Sequence, residues 1–503
     1  MNEWWGLLGG EPAWLWVTAA WSGHILVFLL VAMHLLRHRR EPTSALFWLL
    51  LTWFLPLFGA LAYLAFGIYR IPRKGSQKRA ADVRFKAERR ALEDGNMPLA
   101  FWRSAHEALT AEPEDPDLCV LNRAMDGILE DYPLLGGNTV EMLVDGDEAY
   151  PAMLAAIRAA RHHIHLQTFI LANDAVGREF LDALAAKARA GVRVRLLYDR
   201  FGSTYAVLGG LFRRYRNIPN MELAGWTQAN LLKRQFQFNL RNHRKLLVVD
   251  GVVAFTGGVN IGEANCSQPG HPAIRDYHFR LTGPAVHELQ FSFLRDWYYF
   301  TGAAAETLLV PEHFPASPSS GHARVRVVNS GPASEMEAIR DVFFLSIISA
   351  RHRVLAMTPY FAPTADLLQA FRAAARRGVD VCLLMPQENN HPYSKLAGQA
   401  YYDDLLSAGV RIYERRPPFI HAKAMLIDDG LALVGSANLD IRSLRLNYET
   451  NLAIYDPATV LGLQQRLEDE LAQSHEITLG QWRRRPHWRR SLENLCNLFS
   501  PVL

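Results

Sequence analysis

The sequence contains little cysteine. Its four cysteines, Cys119, Cys266, Cys382 and Cys496, are spread over 503 residues and form no Cys-x-x-Cys pair. Neither a zinc site nor a disulfide framework is therefore indicated, which is compatible with a reducing cytoplasm. The net charge is also small, +4 at pH 7, so that the basic residues matter by their position.

Charge is missing altogether from two long apolar stretches, Ala13 to Leu36 and Ser44 to Tyr69, which contain no Asp, Glu, Lys or Arg. Each stretch is long enough to span a bilayer as a helix. A cleaved signal peptide is not favoured, because no basic segment precedes the first stretch and two stretches follow in tandem. Residues 1–75 are therefore predicted to be a membrane anchor with two transmembrane helices.

Basic residues flank both apolar stretches. If both helices cross, the N-terminus and the main body share one side, and the larger number of basic residues puts that side in the cytoplasm. The expected location is the cell (inner) membrane, multi-pass. Pro56 and Gly59 interrupt the second stretch, so a re-entrant hairpin that does not cross stays open. Bases beside a membrane are attracted to anionic headgroups. The flanking residues are Arg37, Arg39 and Arg40, and Arg70, Arg73, Lys74, Lys78 and Arg79.

A duplicated motif dominates the rest of the chain. His-x-Lys-x4-Asp occurs at residues 243–250 and again at 421–428, and an asparagine follows ten positions after each Asp. Each copy contains a short apolar run that reads as a buried strand. A His and a Lys two positions apart point to one face of such a strand, so two copies related by a pseudo-twofold axis would aim both pairs into one cleft. That cluster suits an anionic phosphoryl group.

Helices and strands alternate around both motifs, and the same helix-Gly-strand joint precedes each copy, which implies α/β layers and duplication. The predicted divisions after the anchor are a connector at 76–135, a first half at 136–310, a linker rich in Pro, Ser and Gly at 311–321, a second half at 322–480 and a basic, aromatic tail at 481–503.

The paired motifs resemble the phospholipase D superfamily. The two apolar stretches, Thr358-Pro-Tyr-Phe-Ala-Pro, Asn438-Leu-Asp-Ile-Arg-Ser-Leu and the terminal Phe499-Ser-Pro-Val-Leu are similar to bacterial cardiolipin synthases of the phospholipase D type. The resemblance implies a duplicated phospholipase D-like α/β/α sandwich with a pseudo-twofold active site. It also implies transfer of a phosphatidyl group between two phosphatidylglycerol molecules, giving cardiolipin and glycerol. The chain lacks the Asp-Gly-x2-Ala-Arg metal motif of enzymes that use a CDP-activated donor.

The resemblance also assigns roles within the motifs. One histidine forms a phosphohistidine and the other protonates the leaving alcohol; His243 is the expected nucleophile and His421 the acid, although the residues themselves leave the order open. Asp276 and Glu449, about 30 residues after their respective histidines, orient the imidazoles. The other assigned residues are Lys245, Lys423, Asn260 and Asn438 for the phosphoryl oxygens, and Asp250 and Asp428 for anchoring the motif loops.

No metal or cofactor is expected, and the expected partners are phosphatidylglycerol and anionic membrane lipids rather than nucleic acid. Alternatives are another phosphatidyl enzyme (phosphatidylserine synthase, or a phospholipase D that uses water), a nuclease of the same superfamily, and a membrane scaffold without activity. The tail, with Trp482, Trp488 and five arginines, fits either a segment on an anionic membrane surface or a terminal helix docked on the domain.

Overall fold

The chain forms two units, Met1–Lys74 and Gly75–Leu503. The structure is a computed structural model that describes residues 13–37, 42–64, 71–94, 110–129, 132–226, 240–316, 319–332 and 338–500.

The first unit contains α1 (Ala13–Arg37), α2 (Pro42–Phe54) and α3 (Pro56–Ala62). Within the described residues, only Trp14–Arg37 is long and apolar enough to cross a membrane. A 13-residue helix such as α2 covers about 20 Å, less than the roughly 30 Å of a hydrocarbon core. The prediction of a second continuous span is therefore not confirmed. Pro56 has no N–H to donate and disfavours helical backbone at the residue before it, which separates α2 from α3.

The helix α3 turns back on α2. Trp53, at the end of α2, packs on Phe28 of α1 with ring centroids 5.1 Å apart. Tyr63, just after α3, lies 5.5 Å from the ring of Trp48 and bonds Nδ1 of His34 at 2.6 Å. The chain thus runs away from the end of α1 along α2 and returns toward it along α3.

In its described residues, the second unit is built on one sheet of 15 strands. Its first half contains β1 (Leu135–Val144), β2 (His163–Thr168), β3 (Arg193–Asp199), β4 (Met221–Trp226), β5 (Leu246–Val249), β6 (Val253–Gly257) and β7 (Tyr277–Thr282). The second half contains β8 (Ala323–Ser330), β9 (Arg353–Met357), β11 (Asp380–Pro386), β12 (Arg411–Arg415), β13 (Ala424–Ile427), β14 (Leu431–Gly435), β16 (Glu449–Tyr455) and β17 (Ser474–Ile477). The short strands β10 (Phe361–Ala362) and β15 (Leu439–Asp440) pair separately.

The strand order shows the duplication. From the centre outwards the first half runs β1-β7-β6-β5-β2-β3-β4, and the second runs β8-β16-β14-β13-β9-β11-β12-β17. The halves join where β1 pairs antiparallel with β8, Leu135 lying opposite Val325. The predicted duplication is confirmed, and the two halves share one sheet.

Helices cover the sheet on both faces. The larger unit contains α4 (Ile71–Asp94) apart from its first four residues, α5 (Pro116–Asp126), α6 (Asp145–Ala159), α7 (Ala175–Arg189), α8 (Thr204–Leu208), α9 (Ala285–Thr301), α10 (Ala338–Ser349), α11 (Ala365–Arg376), α12 (Pro392–Gln399), α13 (Tyr402–Ser407), α14 (Ile441–Arg445), α15 (Pro457–Ala472), α16 (Leu479–Arg483) and α17 (His487–Leu498). Strand β5 shows the layering: Leu246 and Val248 join the core around α9, whereas Leu247 and Val249 join the core of α6 and α7.

Three predicted surface segments pack more closely than expected. Lys78, predicted to face lipid headgroups, is only 1 % exposed and pairs with carboxylates inside the protein. The linker at 311–321 contains His313 and Phe314, which are buried, so this part belongs to the core. In the tail, α17 packs against α12 and leaves Trp488 exposed, so it is docked on the domain with an apolar face still open.

Candidate active site

Each motif ends in a turn that fastens it to the sheet. Asp250 follows β5 and Asp428 follows β13, both with left-handed backbone, φ 52° and 49°. The carboxylate of Asp250 accepts the backbone N–H groups of residues 161–163 at 2.8 to 3.0 Å. The carboxylate of Asp428 accepts those of residues 351–353 at 2.8 to 3.1 Å. Both aspartates therefore hold the motif turn against the start of a neighbouring strand, β2 or β9.

The backbones of the two motifs cross between the halves. The N–H of His243 donates to the carbonyl of Tyr448 in the second half at 2.9 Å. The N–H of His421 donates to the carbonyl of Arg275 in the first half at 2.7 Å. Tyr448 directly precedes Glu449, and Arg275 directly precedes Asp276. Each histidine is thus held next to an acidic residue of the other half.

This crossing pairs each imidazole with a carboxylate from the other half. Nδ1 of His243 lies 2.9 Å from Oε2 of Glu449, and Nδ1 of His421 lies 2.7 Å from Oδ2 of Asp276. Glu449 and Asp276 are fully buried. The carboxylates follow their own half's histidine in sequence but contact the opposite one in space.

The tautomers follow from these contacts. An ionised carboxylate only accepts hydrogen bonds, so Nδ1 of each imidazole carries the hydrogen. The electron pair of each neutral ring then lies on Nε2, which is the nitrogen available to attack phosphorus or to exchange a proton.

The two carboxylates are supported differently. Ser436 donates its hydroxyl to Oε2 of Glu449 at 2.6 Å, and the Asn447 amide donates to Oε1 at 3.1 Å. At the equivalent turn in the first half, a Cβ on Gly258 would lie 2.1 Å from Oδ1 of Asp276. The shorter aspartate therefore fills the space that the serine hydroxyl fills on the other side, and glycine is required there.

The two lysines lie beside their own histidines. Lys245 Nζ donates to the carbonyl of His243 at 2.7 Å, and Lys423 Nζ donates to the carbonyl of His421 and lies 2.9 Å from its Nδ1. Burial lowers the pKa of Lys245 to about 7 and that of Lys423 to about 8. Burial is also the main reason why the pKa of His243 falls and that of His421 falls to about 4, so both free imidazoles are neutral at pH 7.

The charges of the two halves act on one another. Burial is the largest cause of the low histidine pKa values, and the lysine of the opposite half is a further cause. Lys423 helps to lower the pKa of His243, and Lys245 helps to lower that of His421. Burial opposes ionisation of Asp276 and Glu449, but the neighbouring cations of the cleft hold the pKa of both carboxyls below its usual value. The two motifs therefore form one electrostatic site.

Asn260 and Asn438, the two asparagines predicted to bind phosphoryl oxygens, lie just after the motif hairpins. Each follows the second strand of its motif hairpin, and the side chains are 8 % and 5 % exposed. Within the described residues, neither amide oxygen has a hydrogen-bond partner. An amide oxygen accepts hydrogen bonds, so these two atoms suit a donor such as a hydroxyl group, and only the amide N–H groups of the two side chains can bind an anionic oxygen.

The structure also assigns residues that the sequence analysis missed. Asp145, with φ 57°, accepts the N–H of Asp276 at 2.7 Å and the guanidinium of Arg275 at 2.8 Å, and burial raises its pKa to about 6. The Asp-Gly turn after β1 was the sequence signal that could have identified Asp145.

Arg244, between His243 and Lys245, is fully buried and donates to the carbonyl of Glu449 at 3.2 Å. In the described parts of the chain, no three His, Cys, Asp or Glu residues are arranged to hold a metal ion.

Comparison with known proteins shows relatives that match most of the chain. The family model described as cardiolipin synthase, PLD-like domain, matches residues 153–297 and 345–473, and a model described as phospholipase D-nuclease N-terminal matches residues 26–67. The chain is 34 % identical to the major cardiolipin synthase ClsA of Bacillus subtilis over 95 % of this chain and 98 % of that protein. It is 35 % identical to cardiolipin synthase 2 of Bacillus anthracis over 92 % of this chain and 88 % of that protein.

A solved structure supports the fold alone. Phosphatidylserine synthase of Haemophilus influenzae superposes with a TM-score of 0.58 at 15 % identity, covering 76 % of this chain and all of that one. The sequence matches extend over both halves and most of the length. The chain belongs to the cardiolipin synthase family of phospholipase D-like proteins.

Proposed function

We propose that the protein transfers a phosphatidyl group from one phosphatidylglycerol to another, giving cardiolipin and glycerol. The observation that carries the proposal is the crossed pairing of His243 with Glu449 and His421 with Asp276. It supplies two oriented imidazoles beside two lysines in one buried cleft, which is what a two-step displacement at a phosphodiester requires. Similar phosphodiesters are exchanged, so the reaction needs no nucleotide.

In the first step Nε2 of His243 attacks phosphorus and the bond to the glycerol oxygen breaks, while His421 donates a proton to that oxygen. The bound anionic phosphodiester raises the pKa of His421 above its value in the empty site, which permits the proton to be carried there. In the second step His421 removes the proton from a hydroxyl of the second phosphatidylglycerol. That oxygen attacks phosphorus, the P–N bond breaks, and His243 is regenerated.

The lysines and the two asparagine amides bind the non-bridging oxygens and stabilise the charge that gathers on them. Aromatic rings line both sides of the cleft: Phe169 lies 4.8 Å from the His243 ring, and Tyr360 and Phe419 lie 6.4 and 6.1 Å from the His421 ring. Such walls exclude water, which favours an alcohol acceptor over hydrolysis.

The anchor supports a location at the cell membrane with the catalytic unit in the cytoplasm. Gly59 allows α3 to lie against α2, since a Cβ there would be 2.4 Å from the carbonyl oxygen of Leu51. The return of α3 favours the re-entrant arrangement. If α1 crosses once, all of the basic residues that flank the apolar stretches lie on the side of the catalytic unit, as the positive-inside rule requires.

The first test is the product. Purified protein with phosphatidylglycerol vesicles in EDTA should give cardiolipin and glycerol. His243→Ala and His421→Ala should each lose essentially all transfer, because each step needs both imidazoles, while His475→Ala, an exposed histidine on β17, should match the parent. Phosphatidic acid as the sole product would indicate a hydrolase, and more than a few per cent of activity in either motif variant would contradict the mechanism.

The second test is the pH dependence of kcat/KM, which reports groups of the free enzyme. Lys245 and Lys423, with pKa values of about 7 and 8, must be charged to bind the phosphoryl oxygens. We expect kcat/KM to fall at least about tenfold between pH 7 and pH 9. The alkaline fall in kcat should lie at higher pH, because a bound anion favours the protonated lysines. A kcat/KM that stays constant to pH 9 would rule out this role.

The third test concerns membrane topology. With one crossing helix and a re-entrant hairpin, an N-terminal epitope should be reached by antibody on the outer face of the inner membrane in spheroplasts. A C-terminal epitope should be reached only after permeabilisation. A two-span hairpin predicts instead that both epitopes are protected, and that result would restore the second crossing.

A further inference from the structure

We propose that the connector helix α4 positions the first catalytic motif, through a buried chain of charges that runs from Lys78 and Asp82 by way of Asp296 to Arg244. These four are positioning residues, and the proposal rests on the proposed catalytic role of His243. It goes beyond that role, because it makes the helix that directly follows the membrane anchor part of the machinery.

The chain of charges is continuous and buried from solvent. Lys78 Nζ lies 2.8 Å from Oδ1 of Asp82 and 3.0 Å from Oδ1 of Asp296, on α9. The other oxygen of Asp296 accepts from Arg244 at 2.7 Å and from Gln167 at 2.9 Å. All four charged residues are at most 1 % exposed. Burial opposes ionisation of Asp296, but Arg244, Lys78 and Arg295 hold its pKa well below its usual value.

The chain of charges ends at Arg244, beside the groups that set the geometry of His243. Arg244 is the next residue, and its Nε donates to the backbone carbonyl of Glu449, whose carboxylate orients the imidazole. Lys78 also lies 5.3 Å from the ring of Tyr448, the residue whose carbonyl accepts the N–H of His243. Lys78 therefore reaches both supports of this histidine, one through Asp296 and one directly.

The second motif has no equivalent arginine. The position between His421 and Lys423 is Ala422, which is fully buried in the apolar core. The charges that support His421 are different and less buried: Arg275, whose carbonyl accepts the N–H of His421, pairs with Asp145 and Glu470, and its side chain is 29 % exposed. Only the network beside His243 includes α4, and it serves the histidine that must form a bond to phosphorus along a fixed line.

Removing one member should misplace the motif. Breaking a buried ion pair leaves its partner charged and uncompensated, so the remaining groups rearrange. In Lys78→Met, Oδ1 of Asp296 loses its cation, and Arg244, which binds Oδ2, is expected to shift toward Oδ1 and away from the carbonyl of Glu449. Displacements of about 1 Å at a catalytic group lower rates by up to about a hundredfold.

The test compares Lys78→Met, Lys78→Arg and Asp126→Asn in the full-length protein. Asp126 is the matched control: it lies on another connector helix, α5, and pairs with the buried Arg326 on β8, away from both motifs. The substrate is a soluble p-nitrophenyl phosphodiester, whose cleavage depends on the motifs and not on cardiolipin formation. A failure of the proposed function therefore shows in the lipid product, and a failure of this inference shows here.

We expect Lys78→Met to lower kcat by about tenfold to a hundredfold per folded molecule with KM within about twofold, and Lys78→Arg to restore most of kcat. Asp126→Asn should keep the parent's kcat whatever its stability. If Lys78→Met does not fold, Asp82→Asn should show the same division between kcat and KM at smaller size. An unchanged kcat in the folded variants, or an equal loss in Asp126→Asn, would overturn the proposal.

Discussion

Two crossed hydrogen bonds between imidazole and carboxylate hold the catalytic unit together as one site. Burying Asp276 and Glu449 separates two charges from water, which is unfavourable unless each is paired and hydrogen-bonded. Their partners, His421 and His243, come from the opposite half. Each buried carboxylate therefore depends on the opposite half for its imidazole partner, and the interface between the halves and the active site are stabilised by the same contacts.

The same burial prepares the site for an anionic substrate. Without a ligand, two lysines share a cleft that lowers their pKa values toward neutrality and keeps both imidazoles uncharged. A bound phosphodiester brings a negative charge into the cleft, which raises the pKa of both lysines and both imidazoles. Substrate binding thus supplies the protonation state that the chemistry uses, in a region where electrostatic interactions are stronger than in water.

Much of the fold was predictable because it depends on local patterns. The short apolar run of each motif forms the predicted buried strand, and the repeated motif implied the duplication. The crossed pairing was not predictable in this way, because chain order places Asp276 and Glu449 after the histidines that they do not contact. The buried Lys78 was also missed, since a lysine after an apolar stretch usually faces headgroups and only the tertiary structure shows its partner Asp296.

The central claim is that each carboxylate acts on the histidine of the other half. It can be tested with a phosphatidyl p-nitrophenol substrate, whose leaving group needs no proton. The account predicts that Asp276→Asn, like His421→Ala, still gives a burst of p-nitrophenol and then stalls. Glu449→Gln, like His243→Ala, should give no burst or a greatly slowed one. A burst in Glu449→Gln together with its loss in Asp276→Asn, while His243→Ala loses the burst and His421→Ala keeps it, would contradict the crossed assignment.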